Sequence, residues 1–96
     1  MKKLELVNSK PFEKALRKFL IRNPTLRGSI GKALLKLSTD AFDPSLKTHK
    51  LSGNLFGFLA CSCGYDCRIV FSLRNDKETG EEVILLVDIG THEEVY

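Results

Sequence analysis

Apolar positions recur at two periods along this chain, and the change of period divides it. Phe12, Ala15, Leu16, Phe19 and Leu20 fall three or four apart, the spacing of one helical face, while Lys14, Arg17, Lys18 and Arg22 fill the remaining face. Asn8-Ser9-Lys10-Pro11 supplies a start signal: Ser9 suits a cap, and Pro11 stands in the first turn, where its missing N–H has no partner to lose. Asn23-Pro24 repeats the signal and opens a second helix, with Leu26, Ile30, Ala33, Leu34 and Leu37 on its stripe. Gly28 and Gly31 each cost roughly 1 kcal/mol against alanine inside a helix. Small residues there are expected to let the two helices approach closely. So short a junction predicts an antiparallel helical hairpin.

Ahead of the hairpin, residues 4–7 alternate with charge and read as a short strand, preceded by Lys2 and Lys3. Residues 38–44 end the second helix. Residues 44–53 read as an irregular loop that holds Lys47, His49 and Lys50 within four positions. From Leu55 the period drops to two. Strands are predicted over residues 55–61, 65–73 and 82–89, joined by a tight turn at Ser62-Cys63-Gly64 and a polar hairpin loop over 74–80. Short connections make these an antiparallel three-stranded meander. Helices first and strands later give an α+β fold, a single domain over residues 1–96, with the hairpin on one face of the sheet.

On the second strand, Tyr65, Cys67, Ile69, Phe71 and Leu73 point toward the helices, and Asp66, Arg68, Val70 and Ser72 point onto an open face. An exposed Asp66–Arg68 pair on one strand is worth little. An arginine on a concave open face suits a phosphate better, because its planar fork donates two hydrogen bonds to one anion. The third strand runs antiparallel beside the second, so Asp88-Ile89-Gly90-Thr91-His92 is expected near the second strand's start, with Gly90 letting the chain leave the sheet. That brings His92 toward Asp66 and Arg68. Periodicity leaves open whether the loop with His49 and Lys50 folds over the same face. Tyr96 either packs to close the fold or joins His92 in chemistry.

Ninety-six residues at 43% hydrophobic content support one core without staples. No apolar run approaches a bilayer span, and no signal-peptide core follows Lys2 and Lys3, so a cytoplasmic protein without a membrane role is expected. Three cysteines, Cys61, Cys63 and Cys67, agree with that compartment. Their spacing, even with His49 as a fourth donor, is not that of a zinc knuckle or ribbon. They are read as small apolar residues in strands, Cys61 and Cys63 facing the same side, and no metal or cofactor is expected. The net charge of +3 hides an asymmetry. Residues 1–50 hold twelve Lys/Arg against four Asp/Glu, and residues 51–96 hold three against eight. Such a split suggests a polyanionic partner, nucleic acid or an acidic protein segment. The plainer reading is helices with solvating lysines and strands with acidic turns, and charge alone does not separate the two.

The order of elements, together with Lys47-Thr48-His49-Lys50-Leu51-Ser52-Gly53, Gly64-Tyr65-Asp66-Cys67-Arg68-Ile69-Val70-Phe71 and Gly90-Thr91-His92-Glu93-Glu94-Val95-Tyr96, resembles the RelE/ParE superfamily of type II toxin–antitoxin toxins. The chain looks most like the YafQ-type mRNA interferase branch. The resemblance covers nearly the whole chain. It implies a RelE-like microbial RNase fold and an endoribonuclease that binds the ribosomal A site and cuts mRNA there, inhibiting translation. It also implies a cognate antitoxin that joins the toxin in a hetero-oligomer. Within it, His49 matches a catalytic histidine, Asp66 an active-site aspartate, and His92 the histidine that protonates the leaving group. Arg68 matches a phosphate-contacting arginine of RelE-like members, and Tyr96 resembles their C-terminal tyrosine. The chain departs from the YafQ type at Ser62, where that type has a further histidine.

RNA cleavage without metal requires that the 2′-hydroxyl lose a proton, that charge on the phosphorane be stabilised, and that the departing 5′-oxygen gain a proton. A histidine near neutrality serves either proton transfer, and a carboxylate orients or accepts. This assigns His92 as general acid, His49 or Asp66 as base or orienter, and Arg68 and Lys50 as phosphate clamps. With only two histidines, positioning by the ribosome would supply much of the rate. Two other functions share the fold: a ParE-like inhibitor of DNA gyrase, against which histidines at both positions argue, and a non-catalytic member that binds antitoxin.

Overall fold

The expected N-terminal strand is β1, Glu5–Asn8, and it pairs in parallel with the last strand of the chain, β5, Glu82–Gly90. A parallel pair needs a crossover, and here every intervening element supplies it. The computed structural model describes residues 4–96; Lys2 and Lys3, noted above, lie outside the described residues.

The first helix, α1, runs Lys10–Arg22. The Ser9 hydroxyl accepts the Phe12 N–H at 3.2 Å, a cap worth about 1 kcal/mol. Phe12 and Phe19 are buried, with Ala15, Leu16 and Leu20 packed beside them. The helix ends where both the backbone N–H and the side-chain amide of Asn23 donate to the Phe19 carbonyl. The Asn23-Pro24 signal then starts a 3₁₀ turn, Pro24–Leu26, and the second helix, α2, follows as Arg27–Thr39. Ile30, Ala33 and Leu37 are its buried residues. α1 packs on β5, whereas α2 packs on the same face toward the other edge of the sheet, on β3 (Leu59–Gly64). The expectation for Gly28 and Gly31 is therefore overturned. Both are exposed, and a Cβ on either would meet nothing within 4 Å. The buried stripes face the sheet, and the glycines face solvent.

The meander consists of β3, β4 (Cys67–Asn75) and β5. With a two-residue strand β2, His49–Lys50, it makes a five-stranded sheet in the order β1-β5-β4-β3-β2. The strand boundaries differ from the sequence reading. The first meander strand begins at Leu59 rather than Leu55, because a 3₁₀ turn at Gly53–Leu55 and Gly57 at φ +95° keep the backbone off the extended path. Ser62, Cys63 and Gly64 belong to β3. The tight turn is instead Tyr65-Asp66, with Asp66 in the left-handed region at φ 49°, which aspartate tolerates better than most residues.

The core lies between helices and sheet. Cys61, Cys63, Cys67, Ile69, Phe71, Ile84, Leu86 and Ile89 meet Phe12, Phe19, Ile30 and Leu37 there. Each large side chain so buried contributes about 1.5–3 kcal/mol. All three cysteines sit on this apolar side as expected, but two do more than fill space: Cys63 and Cys67 are disulfide-bonded across the Tyr65-Asp66 hairpin.

Candidate active site

The opposite face of the sheet carries the charged residues, and a β-bulge decides which ones. Val70 pairs with Asp88 and Phe71 with Leu86, so Val87 has no partner. In strict alternation from Ile84, Asp88 would point into the core. The extra residue resets the phase: Asp88 turns to the second face, Ile89 to the core, and Gly90 comes opposite Arg68.

Beyond Gly90 the chain folds back as a four-residue helix, α3, His92–Val95, which packs on β4 and β5. Such a helix has no stability of its own, and four contacts hold it. The Thr91 hydroxyl accepts the Glu94 N–H while Glu94 Oε1 accepts the Thr91 N–H, a capping box. Glu94 Oε2 accepts from Arg22 Nη2 at 2.6 Å, a salt bridge between α3 and the end of α1. Val95 is buried. Asp66 Oδ1 accepts the backbone N–H of His92 at 3.0 Å. The role expected of Gly90 also changes. Glycine is required there less for leaving the sheet than for letting α3 return, since a Cβ would lie 3.0 Å from Glu94 Cβ and 3.2 Å from Val95 Cγ1.

Tyr96 follows α3 and settles between the two histidines. Its ring meets His92 edge-on at a centroid distance of 4.5 Å and His49 at 6.0 Å. Its hydroxyl lies 3.3 Å from His49 Nε2. His49 Nδ1 lies 3.1 Å from the Lys47 carbonyl, which can only accept, so Nδ1 carries a proton. The neutral ring therefore presents Nε2 as an acceptor to the Tyr96 hydroxyl. Partial burial pushes the Tyr96 phenol up, and the nearby Arg68 guanidinium opposes it. The loop whose position was open thus does fold over this face: β2 places His49 opposite Ala60, one strand away from Val70.

Beside these residues is an open depression of about 630 Å³ lined by Lys47, Ser62, Asp66, Arg68, His92 and Glu93 among others. His92, Asp66 and Arg68 come together as the antiparallel pairing required. No ion pair joins Asp66 to Arg68 among the described residues; the arginine's one bond is to the Cys67 carbonyl, at 3.0 Å. Arg68 is thus available to an anion. Val70 and Ser72, expected on an open surface, are 1% and 3% exposed, whereas Arg68 and Ser62 on the same face stay partly exposed.

Lys50 does not reach this depression. Adjacent residues on a strand point to opposite faces. With His49 paired to Ala60, Lys50 pairs with Leu59 and lines a separate apolar groove beside Phe56 and Leu73. Lys47 stands at the depression instead, at a left-handed backbone position, φ 53°. Sequence periodicity could not find it, because it lies in the turn before β2. Asp88 was also missed: burial, reinforced by the charge of Glu94, pushes its carboxyl above the ordinary range against the Ile89 N–H. A lone acid inside the apolar run 83–89 was its signal. The four donors weighed as a metal set do not converge, since Cys63 and Cys67 bind each other and Cys61 lies on the helix side. Burial pushes the Cys61 thiol up to about 12, so it is no nucleophile at neutral pH.

No family model and no curated relative matches the chain. Solved structures do. A metal-bound toxin from Helicobacter pylori is 29% identical, with a TM-score of 0.73, over 97% of this chain and 99% of that one. A conserved hypothetical protein from the same organism is 30% identical over the same shares, with a TM-score of 0.61. The E. coli DinJ–YafQ toxin–antitoxin complex matches over 98% of each chain with a TM-score of 0.74 at 14% identity, a likeness of fold.

Proposed function

We propose that this chain, similar to a Helicobacter pylori toxin and sharing the fold of YafQ, is a type II toxin of the RelE/ParE superfamily and its YafQ-like type, a ribosome-dependent mRNA endonuclease held inactive by a cognate antitoxin. The observation that carries this reading is the convergence of His49 and His92 on Tyr96, next to an open depression that His92, Arg68 and Asp66 line. A gyrase inhibitor has no need of titrating groups gathered in this way.

The reaction assigned to the site is attack of the 2′-oxygen on the adjacent phosphorus, with the P–O5′ bond breaking, to leave a 2′,3′-cyclic phosphate and a 5′-hydroxyl. His49 Nε2, an acceptor in its neutral form, takes the 2′-proton directly or through the Tyr96 hydroxyl. His92, protonated, delivers a proton to the departing 5′-oxygen. Arg68 and Lys47 stabilise the phosphorane charge, in the place the sequence reading gave to Arg68 and Lys50. Asp66 orients rather than accepts: its carboxylate holds the His92 backbone, not the His92 ring. Tyr96 keeps both imidazoles in register. The antitoxin is proposed as the partner by analogy with the DinJ–YafQ complex, and the ribosome as the agent that supplies and bends the mRNA.

Induced expression of the chain and of its His92→Ala variant, followed by mapping of mRNA ends in growing cells, tests the reading. Growth arrest with ribosome-phased cuts that the substitution abolishes supports it. Arrest with DNA damage and intact mRNA overturns it in favour of gyrase inhibition.

A further inference from the structure

The strand β2 is too short to cover its neighbour. It pairs with Leu59 and Ala60 only, and among the described residues no strand pairs with β3 on that side from Cys61 to Gly64. At this free edge a second depression, about 290 Å³, opens between β3, α2 and the turn that carries Lys47. Its polar lining is Ser29, Lys32, Lys36, Ser45, Lys47 and Ser62, with no carboxylate among its lining residues. The two depressions adjoin: Lys47, Ser62 and Gly64 line both.

From this continuity we infer that the groove is a second RNA subsite, which takes the phosphates of the same single strand on one side of the cleavage point and leads it around the β3 edge at Ser62 onto α2. The inference rests on the endonuclease reading of the first depression. Lysine ammoniums bind phosphates as point charges, hydroxyls donate to their oxygens, and a free strand edge offers backbone groups as well. Lys36 Nζ is already held 2.9 Å from the Ser45 hydroxyl, which in turn bonds Asp43 at 2.7 Å, so one cation is positioned rather than loose. Lys47, common to both depressions, lies where the strand would pass from one to the other. An acidic peptide fits less well. It would want apolar anchors, and Ile21, Leu35, Phe42 and Phe56, all exposed, line none of this groove.

The test is binding of the full chain to fluorescein-labelled RNA oligomers, a dinucleotide and a hexanucleotide, by anisotropy over a salt series. The hexanucleotide should bind more tightly than the dinucleotide. A Lys32→Gln/Lys36→Gln variant should lose about tenfold in hexanucleotide affinity at low salt, and flatten its salt dependence by roughly 1 to 1.5 in log–log slope. Its dinucleotide binding should stay unchanged. A Lys10→Gln/Lys14→Gln variant on α1 controls for general charge. Ser62→Trp, placed between the depressions, should bring the hexanucleotide down to the dinucleotide's affinity. Equal loss from both lysine pairs, or no difference between the two oligomers, overturns the subsite. So does a groove variant that loses affinity for the cognate antitoxin while keeping that for RNA. Because the endonuclease reading is tested separately by His92→Ala and mRNA ends, mRNA cuts that persist alongside a negative binding series would reject the groove and leave the nuclease standing.

Discussion

The Asp66 carboxylate binds the backbone of His92, 26 residues away, and so fixes the start of the helix that bears the proposed general acid. The contact joins a two-residue hairpin turn to a four-residue helix, two elements too short to be stable alone. Asp66→Ala removes the acceptor and puts a β-carbon residue with no local hydrogen bond at φ 49°. It should destabilise by about 1–2 kcal/mol and abolish cleavage. Asp66→Asn keeps the oxygen and tolerates the left-handed region, so it should restore most of the stability and most of the activity. Thermal unfolding and mRNA-end mapping on both variants check this. An inactive but stable Asp66→Asn would return the carboxylate to the role of base.

Tyr96→Phe separates the ring from the hydroxyl. The edge contact with His92 remains, and the bond to His49 Nε2 goes. Because that bond is exposed, the stability change should stay below about 1 kcal/mol. The His49 imidazole should change its tautomer balance, with the His92 resonances little affected, as read by nitrogen NMR. A change confined to His92 would contradict the arrangement.

Gly90→Ala tests whether the returning helix needs the missing Cβ. Gly90 is not at positive φ, so the penalty is steric, from atoms at 3.0 and 3.2 Å. Either α3 shifts outward or the strand end gives way, at about 1–3 kcal/mol. Since α3 carries His92 and Tyr96, cleavage should fall by orders of magnitude while hydrogen exchange in β1 and in the Ile84–Leu86 stretch of β5 stays protected. Full activity in this variant would mean that α3 need not seat where it does.

What the sequence made legible follows the physics of each element. α1 was readable because Ser9, Pro11 and a stripe from Phe12 to Leu20 all point to one helix, and nothing tertiary competes. The meeting of His92 with Asp66 and Arg68 was readable because antiparallel pairing dictates it. The turn at Tyr65-Asp66 was not, because alternation of apolar residues continues across it and the cross-strand disulfide is invisible to periodicity. The parallel partner of β1 is set by long-range docking. The exchange of Lys50 for Lys47 turns on a strand of two residues, where a shift of one position reverses the face.

Acid should release α3 before it unfolds the sheet. The Thr91 N–H, and then the Arg22 guanidinium, hold the Glu94 carboxyl below the ordinary glutamate range. A folded-state pKa below the unfolded one means that this stabilisation is complete above the ordinary range and is lost as pH falls through the lowered value. Asp88 has the opposite sign. Its raised carboxyl stabilises fully below the ordinary aspartate range and loses that contribution as pH rises through the raised value. At mildly acid pH the two partly cancel, and at more acid pH the loss at Glu94 dominates the α3 anchor. Contacts between the Tyr96 and His92 rings, followed by NMR down an acid titration, should weaken there. Glu94→Gln, which cannot pair ionically with Arg22, should weaken them already at neutrality. Contacts that are insensitive both to Glu94→Gln and to acid would sink this account.

Reduction should act on the site through the hairpin. The Cys63–Cys67 bond spans a sequence separation of 4, so its closed loop is little more than Gly64, Tyr65 and Asp66. By chain entropy so short a loop is worth about 2 kcal/mol, less whatever the reduced hairpin retains. Cys61 is buried on the same strand with its thiol pushed up to about 12, and so is a poor exchange partner. A thiol reductant, or the Cys63→Ser/Cys67→Ser variant, should therefore lower stability by about 1–2 kcal/mol. It should also speed amide exchange at Tyr65 and Asp66 and, because Asp66 then holds His92 less firmly, slow cleavage severalfold. Alkylation of the reduced protein and mass spectrometry confirm which cysteines opened. Unchanged exchange at Asp66 after complete reduction would show that the turn is fixed by its backbone geometry and the strand pairing alone.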